Sequence, residues 1–249
     1  MQIKFLGTSA GWPLPRLGCK CDICSSNDPR DKRTRSQLLI NDSLLIDIGP
    51  DTYLHLSDSK IDPIKIKYAA ITHEHSDHVF GLWDLGHIYN SQKIDIILAE
   101  STYKKISRLF FYNEYKVTKI KAGEGAKITD LIIILLPVNH TDSSFGILVK
   151  EKNKSIFYAP DFKFVTDTTI KKISGLDLAI LDGSELKIAT PTHQPIQENF
   201  KLGKKLKAKK VYFTHLGHRT LPHQQLQEYV QKEGGSNFHI PHDGLEIKL

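Results

Sequence analysis

Short apolar runs recur along the whole chain, and most are bounded by Gly, Pro, Asp or Asn rather than extended with a helical period. Ten of these runs are rich in β-branched, leucine or aromatic side chains, which pack well on a pleated surface, and they predict strands. The ten predicted strands are QIKFLG, QLLIN, SLLIDIG, IKYAAIT, KIDIILA, LIIILLPV, FGILVK, SIFYAP, LDLAIL and KKVYFT.

Segments with a helical spacing of apolar positions lie between these runs. They predict helices over 81–89, 101–110, 168–173, 195–207 and 222–233. The last has Pro near its first turn and a glycine pair after its end, a common arrangement at helix termini. No repeat, linker or change of composition marks a boundary. The pattern predicts one mixed α/β domain over 1–249, with sheets covered by helices.

Composition sets limits on this prediction. A chain of 249 residues with 40% hydrophobic residues can bury a sizeable core. No apolar run approaches the ~20 residues that span a bilayer, and the start MQIKFLGTSA lacks a secretory signal. We therefore expect a soluble, cytoplasmic protein without a membrane partner. The net charge of +6 suits an anionic ligand and serves as a hint.

All three cysteines lie in the segment CKCDIC, as Cys19, Cys21 and Cys24. An odd, tightly local set does not suit a framework of paired disulfides. Tetrahedral zinc takes four ligands, and this spacing supplies three thiolates from one loop. The segment therefore predicts a zinc loop at 19–24 with its fourth ligand elsewhere, and three free thiols in a surface loop are the alternative.

Residues that commonly bind metals follow the ends of predicted strands. Because strand ends on a rigid sheet can meet at one point, we expect these side chains to converge. The spacing H-x-H-x-D-H does not fit one helix face and predicts an extended loop that turns into a helix. Imidazole and carboxylate together suit zinc, manganese or iron. The residues are His73, His75, Asp77 and His78 in HEHSDH, then His140, Asp161 and His215.

In their order along the chain, Asp47 in LLIDIG, HEHSDH, His140, Asp161 and His215 resemble the motifs of the metallo-β-lactamase superfamily. The resemblance implies an αββα sandwich of two mixed β-sheets flanked by helices. It also implies two divalent ions, manganese or zinc, bridged by Asp161, with Asp47 orienting a ligand histidine or its loop from behind. One ion would be held by His73, His75, His140 and Asp161, and the other by Asp77, His78, Asp161 and His215.

Further segments resemble the PhnP family, which consists of cyclic phosphate phosphodiesterases of phosphonate breakdown with an extra structural zinc. These segments are the one around CKCDIC, THLGH and HDGLEI. The resemblance makes His218 the fourth ligand beside Cys19, Cys21 and Cys24. It also makes His193, in PTHQPI, a catalytic residue that binds no metal, alongside the catalytic ligand Asp77. Alone, His193 could equally be a residue at a helix N-terminus without a chemical role.

The expected activity is that of a hydrolase acting on a small cyclic phosphodiester, such as phosphoribosyl 1,2-cyclic phosphate. A metal-bridging hydroxide would attack phosphorus, and His193 would stabilise the phosphorane or protonate the leaving alkoxide. An alternative is a tRNA 3′-processing endonuclease or another nucleotide phosphodiesterase, although no extended Gly/Pro-rich arm is visible. The pyrroloquinoline quinone biosynthesis protein has a similar Cys-rich loop, but its metal motif is usually incomplete.

An alternative of another class is a non-catalytic, zinc-stabilised module that binds nucleic acid through the lysines of 201–210. Leucines at helical spacing predict a solvated helix face there instead. A small phosphodiester is thus the expected partner, ahead of nucleic acid. The sequence leaves open whether the protein forms a homodimer, and what residues 88–125 do.

Overall fold

Two mixed β-sheets form the centre of the protein, whose computed structural model describes residues 1–58, 61–89, 93–110 and 115–249. The strands of the first sheet are, in spatial order, β15 (Glu246–Lys248), β1 (Gln2–Gly7), β2 (Gln37–Ile40), β3 (Leu44–Ile46), β4 (Tyr68–Ala70), β5 (Asp95–Ala99) and β6 (Lys116–Ile120). Those of the second are β11 (Phe164–Val165), β8 (Leu131–Asn139), β9 (Phe145–Glu151), β10 (Lys154–Ala159), β12 (Leu178–Asp182), β13 (Lys210–Thr214) and β14 (Phe238–His239), and β7 (Gly125–Ile128) pairs with β8.

The two sheets have the same internal plan. In the first, β15, β1, β2 and β3 are antiparallel neighbours, whereas β3 to β6 are parallel. In the second, β8, β9 and β10 are antiparallel, whereas β10, β12, β13 and β14 are parallel. Parallel strands that are covered on both faces need continuous apolar runs, as in the fully buried β5 and β12.

Helices cover the outer face of each sheet. Those on the first sheet are α1 (Thr52–Asp58), α2 (Ser76–Val79), α3 (Leu82–Leu85) and α4 (Glu100–Ile106). Those on the second are α5 (Asp167–Lys172), α6 (Ile196–Lys205) and α7 (His223–Gly234). The order of layers is helices, sheet, sheet, helices, which confirms the predicted αββα sandwich.

Alternation along the strands decides which core each side chain joins. In β8, Ile133 and Leu135 point between the sheets, where they join Phe5 of β1. Leu136 of the same strand points to the outer core beneath α6 and α7. Side chains of a strand point alternately to its two faces, so one apolar strand serves two cores.

All ten predicted strands are present. The structure also contains elements that were not predicted. They are the strands β6, β7, β11, β14 and β15 and the helices α1 and α2. The helix predicted over 81–89 is shorter, because α3 ends at Leu85, and that predicted over 101–110 is α4 followed by a 3-10 turn. Of the 88–125 region, positions 90–92 and 111–114 lie outside the described residues.

The predictions about the lysine-rich stretch and about membranes can be compared with this fold. In the 201–210 stretch, Leu206 is buried in the outer core and the lysines are exposed, which fits a solvated helix face. Within the part of the chain that the structure describes, no helix is both long and apolar enough to cross a membrane.

Candidate active site

The predicted metal ligands converge where strands from both sheets end. The HEHSDH segment follows β4 of the first sheet, whereas His140, Asp161 and His215 follow β8, β10 and β13 of the second. The structure gathers them into two groups whose ligand atoms lie within 4.8 Å of one another. The first ligand group is His73, His75, His140 and Asp161, and the second ligand group is Asp77, His78, Asp161 and His215.

The backbone of HEHSDH explains how one segment serves both groups. It has no helix or strand from His73 to His75, which is extended and stands just before α2, and the ring centroids of His73 and His75 lie 4.7 Å apart. Asp77 and His78 lie in the turn of α2. The extended loop that turns into a helix is confirmed. Gly49 permits close packing of this turn, since a Cβ there would lie 2.2 Å from the backbone oxygen of Asp77.

Imidazole nitrogens meet in the first ligand group. Nε2 of His73 and Nε2 of His140 lie 3.0 and 3.1 Å from Nδ1 of His75, and Oδ2 of Asp161 lies 3.3 Å from His73. Outer hydrogen bonds fix the tautomers: the hydroxyl of Thr72 donates to Asp47, so it accepts from Nδ1 of His73. Nδ1 of His140 donates to the backbone oxygen of Thr192, 3.0 Å away. Nε2 of His73 and Nε2 of His140 therefore each keep a lone pair, and both atoms lie next to Nδ1 of His75.

The second ligand group has the same surplus of acceptors. Nδ1 of His78 donates to Oδ2 of Asp47 over 2.7 Å, which leaves the lone pair of Nε2 facing Oδ2 of Asp77 at 3.2 Å and Oδ2 of Asp161 at 3.1 Å. That buried Nε2 has no hydrogen-bond partner among the described residues. His215 completes the group, with its Nδ1 2.9 Å from Oδ1 of Asp161. Acceptors that face one another in a buried place fit a bound cation.

The pKa values of the histidines also indicate that the site attracts positive charge. Burial lowers the pKa of His73 to about 4, so this imidazole is neutral. Burial also lowers the pKa of His215, but Asp161 and Asp77 outweigh it and raise the pKa to about 10. For His78 the nearby carboxylates likewise overcome burial and raise the pKa well above its usual value. The carboxylates create a strongly negative field that holds either protons or metal ions.

Asp47 lies behind the ligands, as predicted from the resemblance. It is fully buried, and its carboxylate accepts from the N–H and O–H of Thr72 and from His78. Asp47 and His215 have φ of 61° and 58°, a left-handed conformation that is costly for residues with a side chain. Such conformations are typical of sites where the surrounding structure dictates the backbone.

His193 stands beside both groups without belonging to either. Its ring centroid lies 5.0 Å from that of His140 and 5.7 Å from that of His215. Nδ1 of His193 lies 2.8 Å from Oδ2 of Asp182. Burial lowers the pKa of His193, but the hydrogen bond and charge of Asp182 outweigh it and raise the pKa. The sequence analysis missed Asp182, although LDLAILD ends in a carboxylate as LLID does.

Glu74 is a carboxylate of HEHSDH that belongs to neither group. It accepts from the hydroxyl of Ser143 over 2.6 Å, from Thr141 over 3.1 Å and from Nζ of Lys105 over 2.6 Å. Its side chain therefore ties the HEHSDH segment to the loop after His140 and to α4. The sequence analysis gave it no role.

The predicted zinc ligands also meet in space. We call Cys19, Cys21, Cys24 and His218 the Cys₃His cluster, whose ligand atoms lie within 4.8 Å of one another. Sγ of Cys19 lies 3.3 Å from Nδ1 of His218. Hydrogen bonds from the Cys21 backbone and from His218 lower the pKa of Cys19 to about 6, which favours a thiolate. Three sulfur atoms and one imidazole are a donor set that zinc prefers.

A cavity of about 350 Å³ opens onto both ligand groups. Its lining includes His75, Asp77, Asp161, His193 and His215. The exposed residues Trp12, Arg16 and Arg219 also line it, next to His218. A small anionic molecule can therefore reach all the residues predicted for catalysis.

Comparisons with known proteins agree with this geometry. The sequence profile of the beta-lactamase superfamily domain matches residues 43–216. An octanoyltransferase of Porphyromonas gingivalis is 27% identical over 99% of this chain and 51% of its own length. A ribonuclease Z of Acaryochloris marina is 29% identical over 61% of this chain and 48% of its own length. The chain thus spans about half the length of each of these relatives.

Solved structures resemble the whole chain. A diphosphatase from the PhnP family has a TM-score of 0.86 and 26% identity, and the match covers 100% of this chain and 97% of that one. Zn(2+)-bound PqqB from Methylobacterium extorquens has the same TM-score with 20% identity, covering 100% of both chains, and at that identity the likeness shows the fold alone.

Proposed function

The chain belongs to the beta-lactamase superfamily, and we propose that it is a dinuclear metal-dependent phosphodiesterase whose substrate is a small, preferably cyclic, phosphodiester. The observation that carries this proposal is the pair of ligand groups that share Asp161 and open onto one cavity beside His193. A carboxylate common to two groups is suited to bridging two ions.

The two ligand groups would each hold one divalent ion, zinc or manganese, and the Cys₃His cluster would hold a structural zinc. Ions bound at the paired groups supply an activated water near neutral pH and neutralise negative charge on phosphoryl oxygens. Asp77 serves this chemistry as a ligand in contact with the reacting centre. Asp47 orients His78, and Thr72 orients His73, so that both imidazoles would present Nε2 to a bound ion.

His193 is the group that moves a proton. Asp182 accepts from its Nδ1, which leaves Nε2 directed away from that carboxylate. As an imidazolium, His193 donates a proton to the departing alkoxide. Phe162 and Ser184 donate backbone N–H groups to Asp182, so the carboxylate itself is fixed in place. The hydrogen bond to Asp182 supports a role for His193 on the leaving-group side, although Asp182, His193 and His215 also lie close enough to hold an ion.

Two alternatives share the fold. The ribonuclease Z relative is named for a nuclease activity, and a phosphodiester in RNA suits the same ligand groups. A role like that of PqqB is less well supported by the ligands, because every predicted ligand position here carries a metal-binding side chain. The Porphyromonas gingivalis relative is named for octanoyl transfer, and this chain spans 51% of its length.

Leaving-group dependence tests the role of His193. Metal-loaded protein is assayed with bis(p-nitrophenyl) phosphate, whose phenolate leaves without a proton, and with 2′,3′-cyclic AMP, whose alkoxide needs one. We expect His193→Ala to lower kcat by about 10²–10⁴-fold on the cyclic nucleotide, by less on the phenyl ester, and to leave metal content unchanged. Loss of the metals, or equal losses on both substrates, would contradict the assignment. No turnover by the unaltered protein on any diester would contradict the proposed function.

A further inference from the structure

A chain of hydrogen bonds leads from the last segment of the protein to the back of the ligand groups, and it begins at Gln37. This buried residue is the first of β2. Its Nε2 donates to the backbone oxygen of Asp47 over 2.8 Å and to Oγ1 of Thr52 over 3.0 Å. Thr52 donates its own hydroxyl to Gly49, so it accepts from Gln37. These two bonds fix the orientation of the amide, and Oε1 of Gln37 faces the next residue of the chain.

His55 is that next residue, and both of its ring nitrogens have partners. It lies on α1 and is 5% exposed. Its Nδ1 lies 2.5 Å from Oε1 of Gln37, and its Nε2 lies 2.6 Å from Oγ1 of Thr34. Because Oε1 can only accept, Nδ1 of His55 carries a hydrogen. Gly7 makes room for the ring, since a Cβ there would lie 2.9 Å from Cε1 of His55.

The hydroxyl of Thr34 lies between two groups that can both accept its hydrogen. Its Oγ1 is 2.6 Å from Oδ2 of Asp243 and 2.6 Å from Nε2 of His55. A hydroxyl has a single hydrogen to donate. With Asp243 ionised and His55 neutral, one of these two contacts would bring lone pairs together at hydrogen-bond distance. One further proton, on Asp243 or on Nε2 of His55, makes both contacts hydrogen bonds.

Burial favours the same number of protons. It lowers the pKa of His55 to about 4, and it raises the pKa of Asp243 despite hydrogen bonds from Thr34 and Thr8. With one proton between them, the two groups together carry no net charge. The other charged side chains near this pair are Arg35 and Asp51, which form an ion pair, Asp58 at the exposed end of α1, and the buried, oppositely charged Arg33 and Asp31.

We propose that Asp243 and His55 share one proton through the hydroxyl of Thr34, and that the hydrogen-bond chain completed in this way positions Asp47 behind the ligand groups. The inference rests on the proposed function in one respect, namely that the ligand groups bind metal ions. The number of protons on the pair does not depend on that function.

Asp47 is the residue through which the chain acts on the site. Its left-handed backbone, with φ of 61°, needs support from its surroundings, and its carboxylate accepts from Nδ1 of the ligand His78. The bond from Gln37 to its backbone oxygen gives such support. Thr34, His55 and Gln37 are therefore positioning residues, which affect metal binding by holding Asp47 in place.

Nuclear magnetic resonance counts the proton in the unaltered, zinc-loaded protein. The nitrogen shifts of the His55 ring distinguish a neutral imidazole from an imidazolium, and the carbon shift of the Asp243 carboxyl group distinguishes the acid from the carboxylate. At neutral pH we expect either an acid beside a neutral imidazole or a carboxylate beside an imidazolium, with a hydrogen on Nδ1 of His55 in both. A neutral His55 beside an ionised Asp243, or two protons on the pair, would overturn the inference.

Substitution of Thr34 tests whether the chain positions Asp47. Thr34→Val removes the hydroxyl, and we expect the affinity of the ligand groups for exchangeable zinc, measured by competition with a chelator, to fall by about 10–100-fold. Thr34→Ser keeps the hydroxyl and should retain the original affinity. Thr118→Val is the matched control, because it removes a hydroxyl that donates to Asp95 from the edge strand β6, and it should also retain the affinity.

The outcomes of these substitutions are distinct. Gln37→Met, which breaks the same chain at its other end, replaces Thr34→Val if that variant does not fold. An unchanged zinc affinity in the folded variant, or an equal loss in Thr34→Ser, would overturn the positioning role. Absence of exchangeable zinc from the unaltered protein would overturn the proposed function, while the resonance measurement would still decide whether the proton is shared.

Discussion

The paired ligand groups and the Cys₃His cluster are built in opposite ways. Each ligand group takes two residues from the segment after β4 of the first sheet and two from strand ends of the second. The cluster takes three residues from one short loop and one from the segment after β13. His73, His78, Asp161 and His215 are buried, whereas all four cluster residues are half-buried.

This difference shows how much of each centre the fold organises before a metal binds. Hydrogen bonds that the imidazoles donate to Asp47, Thr72 and Thr192 already orient the rings of the ligand groups. The cysteine loop has no strand or helix of its own between Cys19 and Cys24, so its conformation depends more on the ion. The ligand groups are therefore preorganised, and the cluster is the centre whose local order a bound metal would change most.

The largest effect should come from removing the residue common to both ligand groups. Asp161→Ala should release both exchangeable ions and lower diester turnover by at least about 10⁴-fold, since the ions account for several kcal/mol of transition-state stabilisation. The zinc of the Cys₃His cluster should remain, near one per chain by elemental analysis after mild chelation. Asp167→Ala, which removes an exposed carboxylate of α5, is the control and should change neither value. Retention of both ions in Asp161→Ala would show that Asp161 does not bridge.

A smaller effect tests whether the two centres are coupled. The cluster ligand His218 lies three residues after His215, so loss of the zinc should loosen the second ligand group. We expect Cys21→Ser to shift manganese activation of bis(p-nitrophenyl) phosphate hydrolysis by about 10–100-fold in concentration. Circular dichroism must first show that the variant is folded. An unchanged activation curve would mean that the zinc stabilises the fold without affecting the active site.

The smallest expected change concerns the carboxylate that holds His193. In the proposed mechanism His193 is an acid, so the rate on 2′,3′-cyclic AMP should fall as pH rises through its raised pKa. Asp182→Asn removes the charge-assisted hydrogen bond that raises this pKa, so the fall should begin at lower pH. The measurement is kcat/KM against pH for both proteins. An alkaline limb that does not move would show that another group donates the proton.

The parts of the fold that the sequence predicts are those with a continuous apolar signal. β5 and β12 are buried along their whole length, and their composition alone predicts strands. β6, KVTKI, contains two lysines and has no fully buried residue, while β11, β14 and β15 have only two or three residues each. Their pairing depends on neighbouring strands rather than on their own residues.

In the candidate site, too, some residues could be predicted from the sequence and others could not. Local motifs such as HEHSDH and CKCDIC predict ligands because several metal-binding residues stand close together in the chain. Asp182 meets His193 across eleven positions and Glu185 meets Arg219 across thirty-four, so neither pair leaves a local pattern. Such contacts follow from strand order, which short motifs do not encode.

Each ligand group takes two residues from the first sheet and two from the second. The distance between the sheets is therefore part of the geometry of the site. Leu135 of β8 and Ile180 of β12 lie in the core between the sheets. Packed interiors adjust to a change of side-chain volume by shifting their surroundings. We therefore expect a substitution at either position to alter the distance between the halves of both ligand groups at once. Metal affinity in this protein should then depend on the hydrophobic interior as well as on the ligands themselves.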